Sequence, residues 1–221
     1  MRVILFGASG MVGQGVLREC LLDPQVTQVT VVGRAPLGRT DPKLAEVVRP
    51  NVGDLADVER ELSGFDATFW CLGVTSAGKG EAEYRAVTYD LTISAATALA
   101  RWNPGMTFVY VSGAGTDSTE RGRAMWARVK GATENALLRL PFRAAYMFRP
   151  GVIRARHGIR SRTTSYRVLY AILWPFVVLA GAIAPNSLTS TDRIGRAMIA
   201  VVRTAPRDRI LGTRAINALA G

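Results

Sequence analysis

The chain has 221 residues, 48% hydrophobic and 20% charged, with 28 basic against 17 acidic side chains and a net charge of +11. That length supports one domain with a full core, and the composition excludes general disorder and collagen-like sequence. The charge is unevenly placed: residues 1–140 balance at 15 basic and 15 acidic, whereas residues 141–221 carry 13 basic side chains against Asp192 and Asp208. Arginine supplies 25 of the basic residues and lysine only Lys43, Lys79 and Lys130, so a high isoelectric point alone argues for no nucleic-acid partner. Cys20 and Cys71 make no disulfide scaffold in a chain this long. With His157 as the one histidine, no zinc or other metal site of the usual ligands is expected. Glycines follow Phe6 at once, in place of an apolar leader, which predicts a cytoplasmic protein.

In chain order, short β-branched runs alternate with helical patterns. Strands are predicted at Arg2–Phe6, Gln28–Val32, Ala45–Val48, Ala67–Cys71, Met106–Val111 and Ala144–Phe148. Helices are predicted to start near Met11, Asp57, Glu81, Gly122 and Asp192. The helix from Gly122 to Leu140 places Met125, Trp126, Val129, Ala132, Ala136, Leu137 and Leu140 close to a 3.6-residue period. This alternation predicts an α/β fold, a doubly wound parallel sheet with helices on both faces, in a single domain over residues 1–221. A small C-terminal region, residues 149–190, departs from it.

Gly7-Ala8-Ser9-Gly10-Met11-Val12-Gly13 follows the first strand and opens the first helix. In that context Gly7 permits a tight turn, Gly10 lets a pyrophosphate approach the backbone, and Gly13 lets helix and strand pack closely. Ser9, Met11 and Val12 complete the loop, whose helix end presents N–H groups and a positive dipole end to phosphates. The second strand ends at Gly33-Arg34, where a site for NAD(H) would place Asp or Glu against the ribose 2′-hydroxyl. Arg34, with Arg39 near in sequence, suits a 2′-phosphate, so NADP(H) is the expected cofactor rather than NAD(H).

These residues, with Gly53-Asp54-Leu55, Cys71-Leu72-Gly73-Val74-Thr75, Val111-Ser112, Lys130 and Phe148-Arg149-Pro150-Gly151, resemble the atypical short-chain dehydrogenase/reductases of the NAD(P)-binding Rossmann class. The resemblance includes the Tat-interacting-protein-like oxidoreductases and NAD-dependent epimerase/dehydratase-like proteins. It runs from the N-terminus through about Val152 and more weakly to about Val202. It implies that Asp54 and Leu55 border the adenine and that Leu72 and Gly73 run beside the nicotinamide ribose. Asp54 reads equally as a loop or helix-cap residue.

The family's working pair is a Tyr and a Lys four residues apart on one helix. By resemblance, the Lys holds the nicotinamide ribose and lowers the Tyr pKa. Here the segment reads Trp126-Ala127-Arg128-Val129-Lys130, so the Lys is present and the Tyr is a Trp. An indole N–H donates a hydrogen bond but has no useful pKa. Ser112 is the candidate serine partner, although family serines often fall one or two residues later, at Gly113 and Ala114 here. Other proton sources are water, Tyr84 and Tyr89, the two tyrosines reading also as helix packing.

Arg149, Arg154, Arg156, Arg160, Arg162 and Arg167 precede an uncharged run from Val168 to Pro185. Pro175 and the elements expected beyond the run argue against a true membrane span. Three readings stand for it: a lid over the substrate pocket, a dimer surface, or an interfacial segment with arginines on anionic headgroups. The arginines also read as a solvated face, and His157 as a loop residue. The expected function is an NADP(H)-dependent oxidoreductase on a carbonyl or enone of a hydrophobic small molecule. The competing reading is a non-catalytic NADP(H) sensor, which Trp126 favours. Both allow a monomer or homodimer, peripheral contact with the inner membrane surface, and no nucleic-acid partner.

Overall fold

A computed structural model of the chain describes residues 1–159 and 188–221. The run from Val168 to Pro185, with Arg160, Arg162 and Arg167, lies outside the described residues, and so do the three readings of it. Seven parallel strands form one sheet: β1 (Arg2–Phe6), β2 (Gln28–Gly33), β3 (Leu44–Val48), β4 (Ala67–Trp70), β5 (Thr107–Val111), β6 (Ala144–Arg149) and a late strand, Ile210–Gly212. The sheet runs β3-β2-β1-β4-β5-β6 and ends on that late strand. The order reverses at β1, the point at which α/β sheets open a crevice at their strand ends. The predicted doubly wound sheet is what the chain forms.

Each strand feeds both faces because its side chains alternate. Val3 and Leu5 point to one face, with Val29, Val31, Phe69 and Val109, and meet Val16, Leu17 and Cys20 of α1 (Met11–Leu22). Ile4 and Phe6 point to the other, with Trp70, Phe108 and Tyr110. On that face lie α2 (Glu59–Leu62), α3 (Glu81–Arg85), α4 (Leu91–Trp102) and α5 (Met125–Arg139). There Phe6 and Trp70 stack at 4.3 Å between centroids, and Trp70 reaches Phe108 at 5.9 Å. Burying each such ring contributes roughly 2–3 kcal/mol, so this aromatic row anchors the sheet centre. The strands keep a common register, with Phe6 opposite both Val32 and Trp70. Their C-terminal ends therefore line one edge, where the functional loops gather.

Helix α6 (Thr191–Thr204) packs on the α1 face through Ile194, Met198 and Val201. It makes with α1 the most extensive contact between any two described elements. A Cβ added to Gly15 would stand 2.5 Å from Thr191 Cβ, and one on Gly195 would stand 2.8 Å from Glu19 Cγ. Those two positions let the helix backbones approach closely. Two short strands, β7 (Val152–Arg154) and β8 (Leu188–Ser190), pair in parallel beside α6. The late strand is β9, and α7 (Thr213–Ala220) follows it.

Three boundaries differ from expectation. Helix α5 begins at Met125, not Gly122, because the Asp117 carboxylate accepts the N–H groups of Thr119, Arg121 and Gly122. Those bonds, with the Thr119 hydroxyl, hold its pKa down at about 2 and fix residues 117–122 as a loop. The helix near Asp57 shrinks to one turn from Glu59, with Asp57 paired instead to Arg49. The helix from Glu81 is interrupted by a π-helical turn, Ala86–Asp90, before α4 continues. Such turns cluster near functional sites.

Candidate nucleotide site and catalytic centre

The glycine loop shows why two of its positions tolerate nothing larger. Gly7 takes φ +77°, and a Cβ there would lie 2.7 Å from the Cys71 carbonyl carbon at the end of β4. A Cβ on Gly13 would stand 2.0 Å from the Gly7 oxygen. The Gly10 N–H donates to that same oxygen at 2.9 Å and closes the turn. Gly10 caps α1 with no side-chain hydrogen bond, and the first turn, opening with Met11, Val12 and Gly13, contains no acid. The helix end therefore offers free N–H character to an anion, as phosphate-binding loops do.

The loop borders a cleft of about 430 Å³. Gly7 and Ser9 of the loop line it with Val52 and Leu72, and Gly33 and Arg34 line it from the end of β2. Arg34 is exposed and makes no hydrogen bond or ion pair among the described residues. Among the described residues, no carboxylate lines the cleft. The glycine cradle, the uncapped helix end and the available guanidinium together fit a phosphorylated dinucleotide.

Other expected binding residues are placed elsewhere. Asp54 borders a separate hollow with Asp90 and Ser94, and its carboxylate accepts the Ala56 N–H at 3.3 Å. That is the loop-capping geometry of its alternative reading. Leu55 is buried with Val58 and Leu62 in the core rather than lining the cleft. Gly73 lies exposed just past Leu72, with open space around it.

At the end of β5 the expected catalytic residues meet a buried ion pair. The Ser112 hydroxyl donates to Glu134 Oε1 at 2.5 Å, and its oxygen lies 3.1 Å from the Phe148 carbonyl oxygen. Glu134 is fully buried and takes Arg149 Nε at 3.1 Å and Nη2 at 2.5 Å. Ser112 thus completes the hydrogen bonding of a buried carboxylate. Lys130, one helical turn before Glu134, is partly buried, with Nζ 5.5 Å above the Tyr110 ring. Burial pulls the Lys130 ammonium down to about 8, against the opposing attraction of Glu134. Trp126 lies over the loop after β5, where a Cβ on Gly115 would stand 3.3 Å from its ring. Tyr84 is buried, and Tyr89 is half-buried beneath the Arg85 guanidinium at 4.0 Å.

Glu134 was absent from the expected site. The signal for it was the spacing Lys130-xxx-Glu134, which puts both on one helix face. Its link to Ser112 and Arg149 joins three separate elements and has no local signature.

These features define an α/β chain with a Rossmann-like, doubly wound parallel sheet. No family model matches the chain. It is similar to the protein fmp52, mitochondrial, of Emericella nidulans, at 29% identity over 158 residues, covering 68% of this chain and 66% of that protein. Protein HTATIP2 of Rattus norvegicus is 29% identical over 154 residues, covering 68% of this chain and 62% of that one. The matched stretch thus spans just under two thirds of either relative. Protein fmp52-2, mitochondrial, of Aspergillus terreus is 25% identical over 203 residues, 91% of this chain and 83% of that protein. Among solved structures, uronate dehydrogenase from Agrobacterium tumefaciens superposes with a TM-score of 0.68 at 17% identity, covering 96% of this chain and 76% of that one. UDP-glucuronic acid 4-epimerase from Bacillus cereus, in complex with NAD, gives 0.69 at 12% identity, covering 96% and 78%. At those identities the likeness is one of fold.

Proposed function

We propose that the chain is an NADP(H)-dependent oxidoreductase of the atypical short-chain dehydrogenase/reductase kind, acting on a carbonyl or enone of a hydrophobic small molecule. The observation that carries this is the glycine cradle and uncapped α1 opening on a cleft with Arg34 at its β2 side and no acid among the described residues that line it. When bound, the cofactor supplies hydride chemistry. This chain's residues supply the rest: Gly7, Gly10 and Gly13 admit the pyrophosphate, Arg34 faces a 2′-phosphate, and Lys130 Nζ holds a proton near the end of β5. Ser112 positions Glu134 and is not a free proton donor in this arrangement.

A second reading, a non-catalytic NADP(H) sensor, is favoured by Trp126 at the family's Tyr position and by the engagement of Ser112 with Glu134. Both readings share the nucleotide test. NADPH is expected to bind at least ten-fold tighter than NADH, or about 1.4 kcal/mol. Arg34→Ala should cut that ratio at least three-fold in titration calorimetry. Equal affinities in the unchanged protein would defeat the NADP(H) assignment.

A further inference from the structure

The primary amines of the chain are Lys43, Lys79, Lys130 and the N-terminus. All but one of them are engaged. Lys43 Nζ donates to the Leu21 and Asp23 carbonyl oxygens at 3.0 and 2.8 Å. Lys79 pairs with Glu83, and the Met1 ammonium donates to the Gln25 oxygen at 2.6 Å. Lys130 makes no hydrogen bond or ion pair among the described residues. Glu134, one turn further along α5, does not compensate it, because its two oxygens already take the Ser112 hydroxyl and the Arg149 guanidinium. What faces Nζ from β5 is the Tyr110 ring at 5.5 Å. Tyr110 sits in one row of the sheet with Trp70 and Phe6, the residue before Gly7. Two strand spacings, about 10 Å, separate β5 from β1. The unpaired amine therefore stands over the same end of the sheet as the glycine loop, half-buried and open to a small molecule.

We infer that Lys130 is a covalent site, an amine that condenses with the carbonyl of a conjugated aldehyde or ketone to form a Schiff base. The inference deepens the proposed function and rests on it. Only a neutral amine attacks a carbonyl, and desolvation is one of the ways proteins supply one. With its ammonium pulled down to about 8, roughly a quarter of Lys130 is neutral at pH 7.5, against about one part in a thousand for an ordinary lysine. In the condensation Nζ bonds to the carbonyl carbon, C=N replaces C=O, and the oxygen leaves as water. The iminium keeps one proton on Nζ and spreads its positive charge into the neighbouring C=C. Hydride from a reduced nicotinamide adds to the far carbon of that C=C and leaves a neutral enamine. A proton from water on the enamine carbon, then hydrolysis, releases the saturated carbonyl and the free amine. The hydride step makes no oxyanion, so it needs no acid where Trp126 replaces the tyrosine. A carbonyl without the C=C would end as a secondary amine fixed on Lys130, so the substrate class narrows to enals and enones.

Trapping with cyanoborohydride tests this without any turnover. The full chain, free of nucleotide, is incubated with benzaldehyde, a conjugated aldehyde that cannot add to thiols or amines through a C=C. Peptide mass mapping then reads the label at each amine separately, so the N-terminus does not confuse the result. At pH 7.5 Lys130 is expected to label at least ten-fold faster than Lys43 or Lys79, with its rate half-maximal near pH 8. Saturating NADP⁺ should leave that rate within two-fold. Label spread evenly over the three lysines, or a Lys130 rate still climbing beyond pH 10, would overturn the inference. Protection by NADP⁺ would overturn it too, because the amine would then belong to the cofactor. If Lys130 stays unlabelled while NADPH binds in calorimetry, the inference is wrong and the proposed function stands. If Lys130 labels as expected and NADPH does not bind, the amine site stands and the oxidoreductase reading falls.

Discussion

Replacing Lys130 with Met should make the protein more stable at neutral pH while damaging its function. Burial lowers the Lys130 ammonium from 10.5 to about 8, so the folded state disfavours its charge. At ~1.4 kcal/mol per pKa unit the gap sets a ceiling of ~3 kcal/mol, which partial exposure trims to roughly 1–2 kcal/mol. Between pH 8 and 10.5 the unfolded chain binds a proton that the folded chain has shed, so stability rises with pH across that window. Below pH 8 the full penalty applies. Methionine keeps the unbranched stem over Tyr110 and removes the charge, and Glu134 retains Arg149 and Ser112. The expected gain at pH 7 is a melting midpoint higher by roughly 2–6 °C for a domain of this size. That gain should shrink as pH rises from 8 and be gone above about 10.5. Thermal melts of both proteins from pH 6 to 11 measure it directly. A Met variant that melts lower at pH 7, or a difference flat across the window, would refute the electrostatic account.

Two other substitutions probe the same centre. Trp126→Tyr should raise NADPH-dependent reduction of a carbonyl or enone panel at least ten-fold if a missing acid limits turnover, since general acids contribute about a hundred-fold or more. No reduction in either protein would favour the sensor reading. Glu134→Ala should cost ~3 kcal/mol or more in urea unfolding, because it strands the largely buried Arg149 guanidinium, and Glu134→Gln should cost less. An alanine variant within ~1 kcal/mol of the parent would show the ion pair to be dispensable.

The sheet was legible because its information is local. Buried parallel strands read as β-branched runs, and all six predicted strands lie within a residue of their observed ends at both termini. The glycine loop was legible too, since strand, turn and helix are contiguous. The short strands β7, β8 and β9 were missed because three residues carry no period. Ser112 was ambiguous for a different reason. Its role depends on Glu134 and Phe148, which lie 22 and 36 residues further along the chain. Leu55 and Asp54 came from family likeness, which transfers the order of residues more faithfully than their orientation. His157 read as a loop residue because only the fold brings it to Arg39 and Arg18.

The close packing of α1 on α6 has a consequence for how the nucleotide loop comes into being. Gly13, Gly15 and Glu19 lie on one short helix: the first braces the loop, and the other two lie against Thr191 and Gly195. Helix α1 therefore completes its packing with a helix that starts 180 residues further along the chain, at Thr191 against Met11. Until α6 arrives, Val16, Leu17 and Cys20 lack the apolar cover that Ile194 and Met198 provide. A contact of such long sequence separation is slow to form, and it cannot be replaced by local structure. The phosphate cradle, although encoded within seven residues, is thus a late product of folding. Its rigidity is held by a helix distant from it in the chain.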